Sequence, residues 1–568
     1  MKKSTRPLAL LMAAAILGST LTACGGGSDS GTNGSDSAVE GLAEDMALTD
    51  APAEEITLPI STDGLELSFF AMPEPVITSK MKGYSEMTVH QTAEELTGVH
   101  INWREESYTD PKQKMNLMFS TGDTEDIVWD AWKHASGGPK KLLDEGLIVS
   151  LNPYIEKYAP NLKKLLQETP GLLEQISTDD GRIFMFPTIR LDPITRANSG
   201  FAIRKGASVG AAFAIRKDWL DRAGLPVPET IDEWYTMLKT FQDMDMNGNG
   251  LKDECFVSMG FEKTSQSMDN FAVAYGLVAG TDLYVKDGQV KYGAYEPEFK
   301  DFVAEMAKWY SEGLLDPEFS TQDSKQFDSK MVNDMGGAYY GSLSGNMGKF
   351  ITARSDDSEY DLVPAPMPKA PDGKVHTGIS GYGQMVPHGA SICSTNENIV
   401  ETVKWLDWHY SEEGTALYNW GIEGQSYEVV DGKNQFTDLI TNNPDGLSKD
   451  EADARYAGGV LTQMPIVEDP EVFLALKSLP QQKAASQLWC QADTSWLLSP
   501  LYFDSETTTE NANIMSEIKT YVAEQFNKYV MGIESMDTFD QFQQQLKDMG
   551  IETVLANYQA SYDAVYNK

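Results

Sequence analysis

A twelve-residue acidic segment, residues 243–254, combines oxygen-bearing side chains with two glycines in the way that calcium loops do. It reads Asp-Met-Asp-Met-Asn-Gly-Asn-Gly-Leu-Lys-Asp-Glu, with a carboxylate or amide at every second position of its first half. Ca²⁺ takes six to eight oxygen ligands from a tight loop. A polar turn that holds no metal is the alternative. The clustering of oxygens around two glycines favours the metal.

Two registers of this segment supply enough oxygens. In the first, Asp243 is the first ligand, Gly248 makes the turn and Glu254 is the twelfth residue, as in an EF-hand. In the second, the loop starts two residues later, and its ligands are Asp245, Asn247, Asn249, the Leu251 carbonyl, Asp253 and Glu254. Because sensor EF-hands work as exposed helix pairs, a single loop predicts a structural ion.

Aromatic side chains are the second signal that points to binding. Trp129 and Trp132 follow a predicted strand, and ligands of open α/β sheets bind beyond the carboxyl ends of strands. Tyr382 lies between two glycines that let the backbone approach a ligand, and Trp496 lies in a Trp-rich stretch. Aromatic rings with a few polar groups commonly line small-ligand pockets. We predict that these four residues line a ligand cleft, with packing in a core as the alternative for each.

Several motifs of common enzymes are absent from the sequence. The six His form no HExxH, and no Walker A loop or GxGxxG occurs. The paired carboxylates of glycosidases have no sequence signature, because the fold sets their separation. We therefore predict a binding protein and no enzyme, with a secreted carbohydrate-active enzyme of the cell surface as the alternative.

The charge of the chain excludes one class of partner. Lys and Arg number 45 against 85 Asp and Glu, which gives a net charge of −40. Nucleic-acid binding needs a basic surface to neutralise phosphates. The same balance opposes docking of the folded surface on anionic lipid. We expect no nucleic-acid partner.

The N-terminus resembles the signal peptide of a bacterial lipoprotein. A basic start is followed by an apolar stretch at 8–17, which is too short to span a bilayer, and by Leu-Thr-Ala-Cys at 21–24. The resemblance implies lipid transfer to Cys24 and cleavage before it. An ordinary secretory signal is the alternative. The three remaining cysteines fit neither a disulfide framework nor a zinc site.

Strands and helices alternate after residue 62, which predicts an α/β architecture with parallel strands. The predicted strands are 65–70, 99–103 and 126–129, and the predicted helices are 90–96, 112–120, 297–312, 398–420 and most of 511–568. The helix at 90–96 is expected to end at Gly98, which suits a left-handed C-terminal position.

Two stretches resemble the extracellular solute-binding proteins of ABC importers, family 1, in their large Gram-positive branch. They read IRKDWLDRAGL at 215–225 and PETIDEW at 228–234, where Thr230 and Glu233 predict a capping box. Shorter matching stretches lie at 97–99, 120–123, 180–184, 310–317, 411–414 and 421–424. The resemblance covers roughly residues 64 to 565.

This resemblance implies a periplasmic-binding-protein-like α/β fold of two lobes, with a hinge and a ligand cleft between them. It implies the second calcium register and delivery of a sugar, most simply an oligosaccharide, to permease subunits. We expect a monomer that meets the membrane through its lipid anchor only, at the extracellular face. A peptide or another non-sugar solute is the alternative ligand.

The expected domain boundaries follow from these readings. They are a signal peptide at 1–23, a flexible acidic tether at 24–61, lobe 1 at 62–190 and 376–425, lobe 2 at 191–375 with the calcium loop, and lobe 2 with C-terminal helices at 426–568.

Overall fold

A computed structural model describes residues 48–107, 109–190, 211–261, 266–279, 283–377 and 386–566. Two of the predicted functional residues, Cys24 and Tyr382, lie outside the described residues. None of the helices in the described ranges combines the length and the apolar character needed to cross a membrane.

The strands are short and occur along most of the chain. They are β1 (Leu65–Ala71), β2 (Val99–Glu105), β3 (Ile127–Trp129), β4 (Phe186–Pro187), β5 (Ile189–Arg190), β6 (Ala211–Arg216), β7 (Cys255–Val257), β8 (Leu283–Lys286), β9 (Gln289–Tyr292), β10 (Gly336–Ser342), β11 (Leu362–Pro364), β12 (Gly389–Ile392), β13 (Tyr427–Val430), β14 (Lys433–Phe436) and β15 (Val467–Glu468).

Helices connect and cover these strands. The α-helices are Pro75–Lys80, Thr88–Thr97, Pro111–Thr121, Ala131–His134, Gly138–Asp144, Asn152–Tyr158, Pro160–Glu168, Leu172–Ile176, Lys217–Ala223, Ile231–Met244, Phe299–Ser311, Ser324–Val332, Lys349–Ala353, Ile399–Trp408, Glu412–Trp420, Asp438–Thr441, Lys449–Tyr456, Pro470–Ala475, Pro480–Trp489, Ser505–Val530, Phe539–Asp548 and Ile551–Tyr566.

The first sheet has five strands in the order β2-β1-β3-β12-β4. Strand β1 pairs in parallel with β2 and with β3, as the β-α-β alternation predicts. Strand β12 comes from much later in the chain and pairs antiparallel with β3 and β4. The helix before β2 ends at Gly98, whose φ of 69° is the left-handed conformation that favours glycine.

The second sheet has four strands in the order β11-β6-β10-β7. Strand β10 runs parallel to β7 and antiparallel to β6, so the carboxyl ends of β7 and β10 lie at the same edge as the start of β6. Every residue of β6 is buried. This all-buried strand reads AAFAIR, which suits a central position with both faces covered.

Each sheet has its own hydrophobic core, which divides the described chain into two lobes. The first core includes the first sheet and residues up to Ile189, and the second begins at Ala211. The chain changes core again between Ala370 and Val386, between Val467 and Ala485, and around Tyr502. The chain therefore crosses between the two lobes several times, and two lobes are what the family resemblance implies.

The segment 48–61 lies along the first lobe, which differs from the flexible tether expected for 24–61. Leu48, Ile56, Leu58 and Ile60 pack against the first core. The backbone N–H of Ile60 donates to the Thr97 carbonyl at 2.8 Å. We call residues 48–61 the strap. Four apolar residues hold the strap against the lobe. The sequence did not predict this contact because the overall composition of the segment is acidic.

Two further differences concern the later part of the chain. The single helix expected at 398–420 is two helices, because the Ser411 side chain accepts a hydrogen bond from the Gly414 N–H and starts the second one. The predicted boundaries place residues 426–467 in lobe 2, whereas in the structure Ala454, Met464 and Ile466 belong to the first core.

Candidate functional site

The carboxyl end of β3 is tied to the start of β12 by a buried aspartate. Asp130 follows β3 directly, with a φ of 54°, and its N–H donates to the Gly389 carbonyl at 2.8 Å. One carboxylate oxygen accepts from the Gly389 N–H at 3.1 Å, and the other lies 2.8 Å from Nδ1 of His388. His388 is therefore held in one orientation at the strand end where ligands of this sheet type bind.

Trp129 lies beneath this histidine. The two rings are stacked, with centroids 6.0 Å apart and an interplanar angle of 15°. Trp129 is only 3% exposed and belongs to the first core. His388 retains a side-chain exposure of 33% and is the outer ring of the pair.

Trp132 lies in the short helix Ala131–His134 that follows and is partly exposed. Its ring meets Tyr502 edge-on at 6.2 Å, and the Tyr502 hydroxyl donates to the Gln175 carbonyl at 3.0 Å. The buried indole N–H of Trp132 has no hydrogen-bond partner among the described residues. A buried donor without a partner is uncommon, which singles out this N–H.

Trp496 lies in the second core and is 6% exposed. His376 stacks on it at 3.7 Å with an interplanar angle of 6°, and the Lys286 ammonium is 4.9 Å from its centroid. Trp496 therefore belongs to the opposite lobe from Trp129 and Trp132, and the structure does not bring the three together. Whether they contact a ligand stays a prediction.

Carboxylates hold the His376 ring. The Asp372 carboxylate lies 2.8 Å from Nε2, and Asp493 lies 3.9 Å from Nδ1. Partial burial opposes ionisation of Asp493, but hydrogen bonds from Ser495 and the Lys374 ammonium lower its pKa to about 2. The group is a carboxylate at neutral pH.

A cavity of about 390 Å³ opens beside Lys374 and Asp493, at the edge of the second sheet where β6 begins. Its apolar wall includes Met367 and Trp489, and the Trp489 indole N–H donates to the Ala365 carbonyl at 3.0 Å. An apolar wall beside an ion pair suits a neutral polar solute. Sequence reasoning missed His376, His388 and Tyr502. The position of Asp130 directly after a buried strand was the one signal available.

The acidic loop lies at the other end of β7. The helix Ile231–Met244 includes the first two residues of the acidic segment, so Asp243 lies in the last turn of that helix, where its carboxylate pairs with the Lys252 ammonium at 3.1 Å. Asp245 has a φ of 49°, and Gly248 and Gly250 also have positive φ. A loop that begins at Asp245 corresponds to the second register.

Hydrogen bonds within the loop hold its oxygens near the backbone. The Gly250 N–H donates to Asp245 Oδ2 at 3.0 Å, and the N–H groups of Asn249 and Leu251 donate to the amide oxygens of Asn247 and Asn249 at 3.1 and 2.7 Å. Asp253 accepts from both amide nitrogens.

Two buried carboxylate oxygens in the loop have no hydrogen-bond partner among the described residues, namely Asp245 Oδ1 and Glu254 Oε2. Burial raises the pKa of Glu254, and the nearby Asp253 and Asp245 carboxylates add to the effect. No three His, Cys, Asp or Glu side chains in the described part of the chain converge as a metal-binding group. The loop depends instead on amide and carbonyl oxygens, which calcium accepts, and its two orphaned oxygens fit such an ion.

The sequence profile of bacterial extracellular solute-binding proteins matches residues 78–416. The fructooligosaccharide ABC transporter substrate-binding protein FusA of Streptococcus pneumoniae is 28% identical over 404 residues, which cover 69% of this chain and 70% of that protein. Lipoprotein LipO of Bacillus subtilis is 27% identical over 392 residues, which cover 67% of this chain and 72% of LipO.

Solved structures show the same fold. FusA of S. pneumoniae in complex with kestose superposes with a TM-score of 0.65 at 24% identity, covering 89% of this chain and 100% of that one. The alginate-binding protein AlgQ2, solved without calcium ion, has a TM-score of 0.62 at 23% identity, covering 89% of this chain and 99% of that one.

Proposed function

Because the chain belongs to the family of bacterial extracellular solute-binding proteins, we propose that it captures an oligosaccharide outside the cell and delivers it to the permease subunits of an ABC importer. The match over most of the chain to a fructooligosaccharide-binding relative carries this proposal. The two cores and the repeated crossings between them support it, since they allow the lobes to close on a solute. We propose that the protein acts as a monomer and catalyses no reaction.

The proposed ligand surface combines groups from both lobes. On the first lobe these are His388, Trp132 and Tyr502, and on the second lobe they are the cavity wall at Trp489 and the Lys374–Asp493 pair. Tyr382 and the outer edges of Trp129 and Trp496 complete the predicted set. Rings and paired charges of this kind suit the apolar faces and hydroxyls of a sugar.

Thermal unfolding in the presence of single oligosaccharides tests the proposal. A sugar that binds only the folded chain, supplied at 100 times its Kd, adds about 2.7 kcal/mol of stability and raises the melting temperature. Kestose and longer fructooligosaccharides are the first ligands to test, with pure fructose polymers of other linkages and dipeptides as comparisons. Recovery of the sugar unchanged supports a binding protein, whereas released reducing ends identify an enzyme.

Alanine substitutions then test the aromatic residues. With a verified sugar, at least one of Trp129→Ala, Trp132→Ala, Tyr382→Ala and Trp496→Ala weakens binding more than twofold. If affinity stays within twofold in all four variants, the aromatic placement is wrong.

We propose that Ca²⁺ is held by Asp245, Asn247, Asn249, the Leu251 carbonyl, Asp253 and Glu254, the set that carries the two orphaned oxygens. The ion would neutralise clustered carboxylates and fix the turn from the helix Ile231–Met244 into β7. A chelator should lower the melting temperature of the wild type, and Asp245→Ala should remove that sensitivity. If a chelator does not change the melting temperature and the purified protein contains no metal, the loop is an ordinary turn.

We propose that Cys24 carries a lipid that holds the protein at the extracellular face of the membrane. The lipoprotein-like N-terminal sequence supports this, as does the similarity to a relative named as a lipoprotein. Cys24→Ala should release the protein into the medium, as judged by immunoblotting of cells and supernatant. Retention of the variant in the membrane fraction contradicts the anchor.

A further inference from the structure

We propose that Arg354 and Arg216 are positioning residues of the calcium loop and that they act on it through Asp334. The inference rests on the proposed calcium site. It concerns residues distant from that loop in sequence, in the turn before β10, at the end of β6 and after the helix Lys349–Ala353.

Asp334 meets the loop through its backbone carbonyl, which accepts a hydrogen bond from a side-chain amide. The Asn247 amide nitrogen donates to the Asp334 carbonyl at 3.0 Å and to Asp253 Oδ1 at 2.8 Å. A carbonyl oxygen can only accept a hydrogen bond, so the Asn247 amide must direct its nitrogen, and not its oxygen, toward Asp334. The Asn247 oxygen is thereby turned toward the loop, where a cation needs it.

Asp334 holds its carbonyl in place through an uncommon backbone conformation. Its φ is 60°, in the left-handed region that Asp tolerates at a modest cost. Two guanidinium groups clamp its carboxylate: Arg216 Nη1 lies 2.5 Å from Oδ1, and Arg354 Nη1 lies 2.9 Å from Oδ2. Loss of either arginine leaves the carboxylate held at one oxygen only, which loosens the turn that presents the carbonyl.

The two arginines are themselves fixed by neighbours outside the loop. Arg216 forms a two-pronged pair with Asp218, at 2.8 and 2.6 Å, and its side chain is 4% exposed. Arg354 donates to the Val332 carbonyl at 2.6 Å and pairs with Asp357. Both guanidinium groups lie over the Tyr360 ring, at 4.4 and 4.8 Å. Charge-assisted bonds of this kind are strong and geometrically specific.

Arg354 is the better of the two for a test, because it is less buried than Arg216 and its described contacts do not include the loop. Calcium titration by calorimetry, on the full chain after chelator treatment, gives the affinity directly. Arg354→Met should weaken Ca²⁺ binding about fivefold or more. Asp334→Asn, which keeps the backbone preference but loses the charge, should weaken it similarly.

The proposal that Arg354 acts through Asp334 also predicts the behaviour of the variant that carries both substitutions. If Arg354 acts through Asp334, then Arg354→Met in the Asp334→Asn background should add little, because the two changes remove the same clamp. The matched control is Lys369→Met, which breaks the exposed pair between Lys369 and Glu229 on the same lobe. Its Ca²⁺ affinity should equal that of the wild type.

The possible outcomes distinguish failure of the calcium site from failure of the role given to the arginines. Wild-type protein that binds no Ca²⁺ overturns the calcium site and this inference together. Wild-type binding with an unchanged affinity in Arg354→Met overturns the inference alone, even if the variant melts at a lower temperature in chelator. Additive losses in the double variant overturn the route through Asp334.

Discussion

Histidine and tryptophan rings lie face to face at two places, one in each lobe. His388 covers Trp129, and His376 covers Trp496. In both pairs an aspartate at 2.8 Å fixes the histidine, so the imidazole is an oriented hydrogen-bonding group backed by an apolar ring. In the first pair His388 is the outer ring, so a sugar that approaches it meets the imidazole before it meets the indole. In the second pair both rings are buried, with His376 only 1% exposed.

A third histidine, His409, is buried within the first lobe. Its Nδ1 lies 2.8 Å from the Trp405 carbonyl, and it is 0% exposed. Burial lowers its pKa to about 4, from 6.5 for a solvated imidazole. Between pH 6.5 and pH 4, His409 binds a proton in the unfolded chain but stays neutral in the folded chain. Stability is therefore lost as the pH falls from 6.5 toward 4.

Replacing this histidine should reduce the loss of stability in acid. For His409→Asn, the free energy of unfolding relative to wild type should rise by about 2 kcal/mol between pH 7.5 and pH 5. Urea unfolding across this pH range measures the difference. His100→Asn is the control, since the His100 side chain is 48% exposed. Parallel curves for wild type and His409→Asn contradict the prediction.

Among the elements, the helix Ile231–Met244 is the one whose start was best defined by sequence. Thr230 accepts from the Glu233 N–H at 3.3 Å, while the Glu233 carboxylate accepts from the Thr230 N–H at 3.0 Å. The predicted capping box is present because both partners lie within four residues of each other. Local signals of this kind do not depend on the rest of the fold.

Thr230→Ala should lower the free energy of unfolding of the second lobe by about 1 kcal/mol, since a helix N–H loses its acceptor. Denaturant unfolding followed by tryptophan fluorescence measures it. Thr236→Ala, on an exposed position of the same helix, should be neutral or slightly stabilising because Ala is the better helix former. Equal stability of Thr230→Ala and wild type would show that the cap contributes nothing measurable.

Elements that depend on distant contacts were harder to predict. The three parallel strands of the first sheet were found, because each has a local apolar pattern. The break at Ser411 and the docking of the strap were missed, since both depend on which neighbours the fold supplies. The same holds for the aromatic residues: a Trp after a strand has the same sequence signature whether or not a histidine covers it.

At the scale of the whole molecule, charge is the dominant property. The chain carries −40, and its two lobes are packed around separate cores that both contain tryptophan. Such a body repels anionic solutes at long range unless Lys and Arg are concentrated locally. The binding of a neutral sugar that stacks on aromatic rings depends little on the electrostatic field of this charge.

The affinity for a neutral oligosaccharide should therefore change less than twofold between about 50 and about 500 mM NaCl, because screening acts only on charged partners. Calorimetric titration with a verified sugar measures it. An affinity that falls steeply with salt would indicate an anionic ligand held by Arg and Lys. The affinity of the Lys374→Met variant should be as insensitive to salt as that of the wild type if the ligand is neutral.

The docked strap has a consequence for how the protein stands on the cell. If the lipid is on Cys24, then only residues 24–47 separate the membrane from the first lobe, and 24 residues reach at most about 85 Å. A free tether that lasted to residue 61 would allow about 130 Å. The strap also fixes the point of attachment, beside Glu156 and Lys163 on the first lobe. The first lobe would then be the one attached to the surface, and the second lobe would be linked to the membrane only through the first.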